Sequence, residues 1–135
     1  MSDMSKLPKD VQLVIQKLID VEQLKCVVLY GSFARGTYTG DSDIDLAACY
    51  NHKMTSDEYF KLTMSLSDVT DRKIDFVDLY SVYPPHSQEI FKYGEWIKKD
   101  SILFAQILSR TLAEQKDFLP IKTKIQKIQL KRFLK

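Results

Sequence analysis

The spacing of hydrophobic residues along the chain changes repeatedly between helical and strand periodicity. In residues 8–24 the apolar positions recur every three or four residues, which predicts an amphipathic helix with Pro8 near its start. The apolar run at residues 26–30 ends at Gly31 and is rich in strand-forming residues, so we expect a buried strand. Residues 31–36 then predict a turn that opens a short helix.

The rest of the chain continues this alternation. Further strands are predicted at residues 43–50, 73–79 and 95–98. Further helices are predicted at residues 55–69, with Ser56 as N-cap, at residues 84–93, closed by Gly94, and from Ser101 onward, interrupted at Pro120. This order favours an α/β (α+β) fold, in which a small mixed sheet of three to five strands is flanked by helices.

Two aspartates at the start of the second predicted strand are candidates for catalysis. Asp43 and Asp45 are two positions apart, so both carboxylates point to one face while Ile44 points into the core. Two such carboxylates repel each other, which raises the pKa of one of them, and a divalent cation removes that penalty. Because Mg²⁺ prefers carboxylate and phosphate oxygens, we interpret the pair as metal ligands and not as a general acid and base.

The turn after the first strand is a candidate phosphate site. Gly31 lets phosphates approach the backbone, and Ser32 offers a hydroxyl beside backbone N–H groups. Arg35 adds a charged fork for the same triphosphate. The turn and the following strand thus predict a triphosphate bound beside a divalent metal such as Mg²⁺.

A third carboxylate would complete a site for two Mg²⁺ ions. Asp75 and Asp78 lie three residues apart on the third predicted strand, so they point to opposite faces. We prefer Asp75, near the start of the strand. Two metals there would polarise the α-phosphorus and stabilise the leaving pyrophosphate, which needs no protein nucleophile.

The stretch GSFARGTYTGDSDIDL resembles the GSx10DxD signature of the nucleotidyltransferase superfamily related to DNA polymerase β. The small size and the KIDFVDL strand are similar to its minimal nucleotidyltransferase (MNT) branch, over roughly residues 26–99. The resemblance implies a nucleotidyltransferase fold. It also implies that Gly31 and Ser32 form the nucleotide-binding turn, that Asp43 and Asp45 are the metal-binding pair and that Asp75 is the third carboxylate.

Members of the MNT branch are often encoded beside a HEPN-domain ribonuclease as toxin–antitoxin pairs. The resemblance therefore implies an antitoxin that moves AMP, or another NMP, from ATP to a hydroxyl of the HEPN toxin and so neutralises it. Two alternatives stay open: a non-catalytic antitoxin that masks its partner by binding, and a transferase that acts on tRNA or a small molecule.

Charge is distributed unevenly along the chain. The net charge is +2, yet residues 121–135 carry six basic residues and no acid, so residues 1–120 are acidic overall. We expect residues 1–120 to form the nucleotidyltransferase domain and residues 121–135 a basic tail. The tail is interpreted as a solvated helix end or a docking segment for a partner, with nucleic-acid contact less favoured.

Several remaining features exclude other classes of protein. No apolar run is long enough to span a bilayer, and residues 1–10 lack the apolar core of a signal peptide. Cys26 and Cys49 lie in apolar stretches and lack metal-ligand spacing, so we expect reduced core thiols in a cytoplasmic protein. The remaining expectations place Trp96 in the core, His52 and His86 on the surface, and Phe33 or Tyr38 as weaker candidates for the nucleotide pocket.

Overall fold

The structure is a computed structural model, and it describes residues 4–113. After a 3-10 turn at Met4–Lys6, the helices are α1 (Lys9–Ile19), α2 (Ser32–Arg35), α3 (Ser56–Ser67), α4 (His86–Tyr93) and α5 (Ser101–Ala113). The strands are β1 (Cys26–Tyr30), β2 (Ile44–Cys49), β3 (Ile74–Asp78) and β4 (Glu95–Lys98). Each helix and strand predicted within these residues is present, but α1 ends at Ile19 and not at residue 24, and α4 begins at His86, two residues after Pro84. The predicted tail at residues 121–135 and the interruption at Pro120 lie outside the described residues.

The four strands form one mixed sheet in the order β3-β2-β1-β4. Strand β1 pairs antiparallel with β2 and β4, whereas β2 and β3 are parallel. The end of β1 therefore lies beside the beginnings of β2 and β3. In this register Tyr30 pairs with Asp45, and Asp45 pairs with Asp75, so three strands deliver polar side chains to one corner of the sheet.

Both faces of the sheet are covered by helices, which explains why β1 is apolar throughout. Val27 and Leu29 of β1 pack in one cluster with α1 and α3. Cys26, Val28 and Tyr30 of the same strand pack in a second cluster with α4 and α5. Every residue of β1 is consequently buried. Helices pack on both faces of the sheet at the corner where β1 ends.

The start of α3 differs from its prediction by one residue. The expected cap Ser56 is wrong, because Thr55 occupies the N-cap position. The Thr55 hydroxyl accepts from the Glu58 backbone N–H at 3.1 Å, and the Glu58 carboxylate accepts from the Thr55 N–H at 2.9 Å. Thr55 is favoured because only its spacing to Glu58 completes this reciprocal capping box.

The two cysteines expected in the core are found there, and Trp96 is partly buried against it. Cys26 and Cys49 are buried, free and directly paired across β1 and β2. Trp96 packs against Phe91 and Phe104, with ring centroids 5.3 and 4.8 Å away. Among residues 4–113, none of the helices combines the length and the apolar character needed to cross a bilayer.

Candidate active site

A cavity of about 440 Å³ opens at the corner where β1 ends and β2 and β3 begin. It is lined by residues from the sheet, from the turn after β1 and from α4. The lining residues are Tyr30, Gly31, Ser32, Arg35, Ser42, Asp43, Asp45, Asp75, Pro85, His86 and Glu89. All six site residues predicted from the sequence line this one cavity.

The three aspartates reach the cavity from two neighbouring strands. Asp45 is the second residue of β2 and pairs with Asp75 of β3. Asp43 lies just before β2 and is exposed, while Ile44 between them is 0% exposed. The alternation predicted for residues 43–45 is therefore present: Ile44 enters the core and both aspartates line the cavity.

Gly31 allows the Asp45 carboxylate to lie directly against the backbone of the turn. Its backbone angles, φ 71° and ψ −151°, belong to a region that is essentially restricted to glycine. A Cβ atom at this position would lie 2.0 Å from Asp45 Oδ2. The close approach thus requires glycine for its backbone conformation and for its lack of a side chain.

Negative charge is concentrated around Asp45. Burial raises the pKa of Asp45, and the charges of Asp75 and Asp43 raise it as well, so that it lies at about 6. The charge of His86 lowers this pKa, and that of Glu89 raises it. Carboxylate repulsion was the effect expected from the sequence, but burial is the larger cause, because Asp45 lies deeper than Asp43.

The donor set of the cavity is suited to a hard divalent cation. Asp43, Asp45 and Asp75 supply carboxylate oxygens, the ligands that Mg²⁺ prefers. In the part of the chain that the structure describes, no three His, Cys, Asp or Glu side chains are already grouped closely enough to hold a metal ion. Asp43, Asp45 and Asp75 nevertheless line the same cavity, and they are the residues that would hold the cation.

Asp78, the alternative third carboxylate, has a different role. Its side chain is buried and lies outside the cavity. Oδ2 accepts from the Met54 backbone N–H at 2.8 Å, and Oδ1 accepts from the Tyr80 N–H at 3.0 Å. Asp78 therefore ties together the segments that follow β2 and β3, and only Asp75 faces the candidate site.

Arg35 lies at the edge of the cavity but already has partners. Its guanidinium donates to the Glu89 carboxylate of α4 and lies over the Tyr93 ring, 5.1 Å from the centroid. Any contact between Arg35 and a triphosphate therefore has to compete with, or be shared with, Glu89.

The neighbouring aromatic and histidine side chains divide between those that line the cavity and those that do not. Phe33 is buried in the cluster beside α1, and Tyr38 stacks on it with centroids 4.6 Å apart, so neither lines the cavity. His86 is exposed as expected, but it lines the cavity. His52 lies away from this cavity and contacts the Glu58 carboxylate at 3.1 Å.

Tyr30 and Glu89 are cavity residues that the sequence reasoning missed. The Tyr30 hydroxyl is buried and has no hydrogen-bond partner among the described residues. Burial raises the pKa of Tyr30, as do the charges of Asp75 and Asp45. The sequence contains one indication for Tyr30, which is its position at the end of a strand, directly before the glycine turn. Glu89 could not be predicted in this way, because it reaches the cavity only through the packing of α4 beside the turn.

Comparison with known proteins relates this cavity to an enzyme family. Residues 12–102, more than half of the chain, match the family described as "Polymerase beta, Nucleotidyltransferase". One relative is the protein adenylyltransferase MntA of Shewanella oneidensis, which is 29% identical over 96 residues, covering 68% of this chain and 69% of MntA.

Solved structures share the fold of this chain. One is a toxin–antitoxin complex with AMP-PNP (TM-score 0.64, 20% identity), in which the match covers 88% of this chain and 95% of the other. Another holds a tri-AMPylated Shewanella oneidensis HEPN toxin with an MNT antitoxin (TM-score 0.58, 18% identity), covering 93% of this chain and 97% of the other. Because the family match spans residues 12–102, the chain belongs to the polymerase β nucleotidyltransferase family, and it is a nucleotidyltransferase of a kind that generally uses a divalent metal.

Proposed function

We propose that this chain is a Mg²⁺-dependent protein adenylyltransferase, the antitoxin that transfers AMP from ATP to a hydroxyl of a HEPN toxin. The observation that carries the proposal is the convergence of the Gly31–Ser32 turn and the three aspartates in one cavity. The names of MntA and of the toxin–antitoxin complexes support the choice of AMP and of a HEPN partner. The free thiols Cys26 and Cys49 support a cytoplasmic setting.

The residues divide into two groups by role. Gly31 and Ser32 bind the triphosphate through the backbone and the hydroxyl, with Arg35 at the edge. Asp43, Asp45 and Asp75 would hold Mg²⁺, as a pair of ions, and the bound metal would supply charge stabilisation at the phosphates. The acceptor oxygen forms a bond to the α-phosphorus as the bond to pyrophosphate breaks. Pyrophosphate leaves and the hydroxyl proton is released, so the work of the chain is positioning and charge stabilisation.

A transfer assay tests the proposal. The purified chain is incubated with Mg²⁺, the HEPN protein encoded beside it, and ATP, GTP, CTP or UTP labelled on the α-phosphate. We expect label on the HEPN protein with ATP, none when Mg²⁺ is withheld, and none when the label is on the γ-phosphate. If the HEPN protein is inhibited but carries no label, the chain is instead a non-catalytic antitoxin that masks its partner by binding.

The distinct positions of Asp75 and Asp78 lead to opposite expectations for their asparagine variants. We expect Asp75→Asn to reduce kcat/KM by about 10²–10³-fold, the usual effect of removing one preorganised charge, with the fold intact. Asp78→Asn should instead lower the free energy of unfolding by about 1–3 kcal/mol, because one of two buried N–H donors loses its acceptor. Transfer and urea unfolding are measured for both, and the reverse ranking would refute the assignment of Asp75.

The buried Tyr30 hydroxyl gives a further expectation. In Tyr30→Phe the free energy of unfolding should stay level or rise, because the hydroxyl removed has no partner among the described residues. Transfer should fall by about 10-fold, the worth of one hydrogen bond to a charged group. Tyr38→Phe is the matched control, since its hydroxyl lies outside the cavity. If Tyr30→Phe clearly lowers the free energy of unfolding and leaves transfer unchanged, the Tyr30 hydroxyl does not serve to bind a ligand.

A further inference from the structure

A second, more apolar groove of about 710 Å³ runs along the outer edge of β3. It lies between the beginning of α3 and residues 81–86, and β3 is the edge strand of the sheet. Pro85 and His86 line both this groove and the aspartate cavity. The groove therefore lies directly beside the candidate active site, with Pro85 and His86 between the two.

Three aromatic side chains line the groove and remain exposed to solvent. Phe60 is 61% exposed, Tyr83 is 67% exposed and Tyr59 is 39% exposed. Tyr59 is anchored, because its hydroxyl donates to the Phe76 carbonyl at 2.6 Å and its ring lies 5.7 Å from that of Phe76. Phe60 and Tyr83 are not needed to fill the core, and a cluster of exposed aromatic residues is typical of a binding surface.

The direction of the reaction identifies the side from which an acceptor enters. Across the sheet, the order is the Gly31–Ser32 turn after β1, Asp45 on β2, Asp75 on β3, and then the groove. In phosphoryl transfer the attacking and leaving oxygens are roughly in line with the phosphorus. With the triphosphate at the turn, pyrophosphate leaves on the β1 side, so the acceptor has to approach from the β3 side.

We propose that this groove binds the segment of the acceptor protein that flanks the modified hydroxyl. The inference rests on the proposed function and adds the partner surface to it. The occupant is a polypeptide with apolar side chains, which pack on Phe60, Tyr83 and Tyr59 while its hydroxyl reaches Asp75. The position of the groove beside the aspartate cavity, with Pro85 and His86 lining both, carries the choice of a protein acceptor. A nucleobase is disfavoured, because in the groove it would occupy the side from which the acceptor has to approach Asp75.

The test uses the double variant Phe60→Ala/Tyr83→Ala, in which both substituted side chains are mostly exposed. The control is Met64→Ala/Ile102→Ala, which removes two side chains of similar exposure (53% and 71%) that do not line the groove. Transfer to the HEPN protein is measured as KM for that protein, KM for ATP and kcat. Calorimetry with AMP-PNP and Mg²⁺ and urea unfolding accompany these measurements.

We expect the groove variant to raise KM for the HEPN protein by about 10-fold or more, as for the loss of two aromatic anchors. KM for ATP, AMP-PNP affinity and the unfolding midpoint should match those of the control variant. An unchanged KM for the HEPN protein would overturn the inference, and a raised KM for ATP would assign the groove to the nucleobase instead. The unmodified chain is assayed first. If it labels no protein, the proposed function itself is overturned, and this outcome is distinguished from a failure of the groove before the variants are compared.

Discussion

Replacing Asp45 with asparagine is expected to abolish transfer and, at neutral pH, to stabilise the metal-free protein. Asparagine has nearly the same size as aspartate, so the contact with Gly31 is preserved while the charge is removed. We expect kcat to fall by at least about 10²–10³-fold, because transition-state charge stabilisation at the phosphates is lost. Asp43→Asn should lose activity similarly, since Asp43 is the second carboxylate of the pair.

The effect on stability depends on pH in a defined direction. The pKa of Asp45 is raised from 3.8 to about 6 in the folded protein, so the folded state binds its proton more tightly than the unfolded state does. The stability that this proton contributes is fully present below about pH 3.8 and is lost as the pH rises through about 6. The advantage of Asp45→Asn should therefore grow across this window. Mg²⁺ should stabilise the unmodified chain above pH 6 but affect the variant much less.

Urea unfolding between pH 4 and 8, with and without Mg²⁺, measures this expectation. Asp41→Asn is the control, because Asp41 is an exposed aspartate of the preceding turn and lies outside the cavity. It should leave transfer unchanged. Full activity in both Asp43→Asn and Asp45→Asn, or a stability difference independent of pH, would contradict the proposed metal site.

Gly31→Ala is expected to damage both folding and transfer. The backbone conformation of Gly31 costs a non-glycine residue about 1–3 kcal/mol. In addition, the new Cβ would overlap Asp45 Oδ2, so the carboxylate has to move out of its position. We therefore expect a lower free energy of unfolding and a loss of transfer comparable to that of Asp45→Asn.

Gly36→Ala separates backbone strain from the steric overlap. Gly36 also has a positive φ, 76°, but a Cβ there would meet no atom within 4 Å. This variant should lose about 1–2 kcal/mol of stability through strain alone and retain transfer once folded. Gly31→Ala in an Asp45→Ala background should cost less than in the unmodified chain, because the overlap with Asp45 Oδ2 is removed. Equal costs in the two backgrounds would show that the contact with Asp45 is not the cause.

Local patterns were sufficient to predict the framework of the site. The apolar run of β1 and the alternation at residues 43–45 depend only on which face of a strand each side chain occupies. The opposite faces of Asp75 and Asp78 follow from the same geometry. Of these two aspartates, only Asp75 lines the cavity. These features are readable from the sequence because they arise between residues that are close along the chain.

The remaining cavity residues depend on contacts between distant parts of the chain. His86 and Glu89 belong to α4, and they reach the turn after β1 only because that helix packs against β1. The pairing of Arg35 with Glu89 joins residues 54 positions apart, so no local pattern could reveal it. The aromatic groove was missed for the same reason: it exists only between the start of α3 and residues 81–86.

The most direct measurement is the intact mass of the HEPN protein after it is co-expressed with this chain. With the unmodified chain we expect the HEPN protein to carry one or more added AMP groups, and peptide fragmentation to place them on a hydroxyl side chain. With Asp43→Asn/Asp45→Asn the mass should equal that of the unmodified HEPN protein. A HEPN protein that is neutralised by the unmodified chain yet carries no nucleotide would contradict adenylyl transfer as the function of this site.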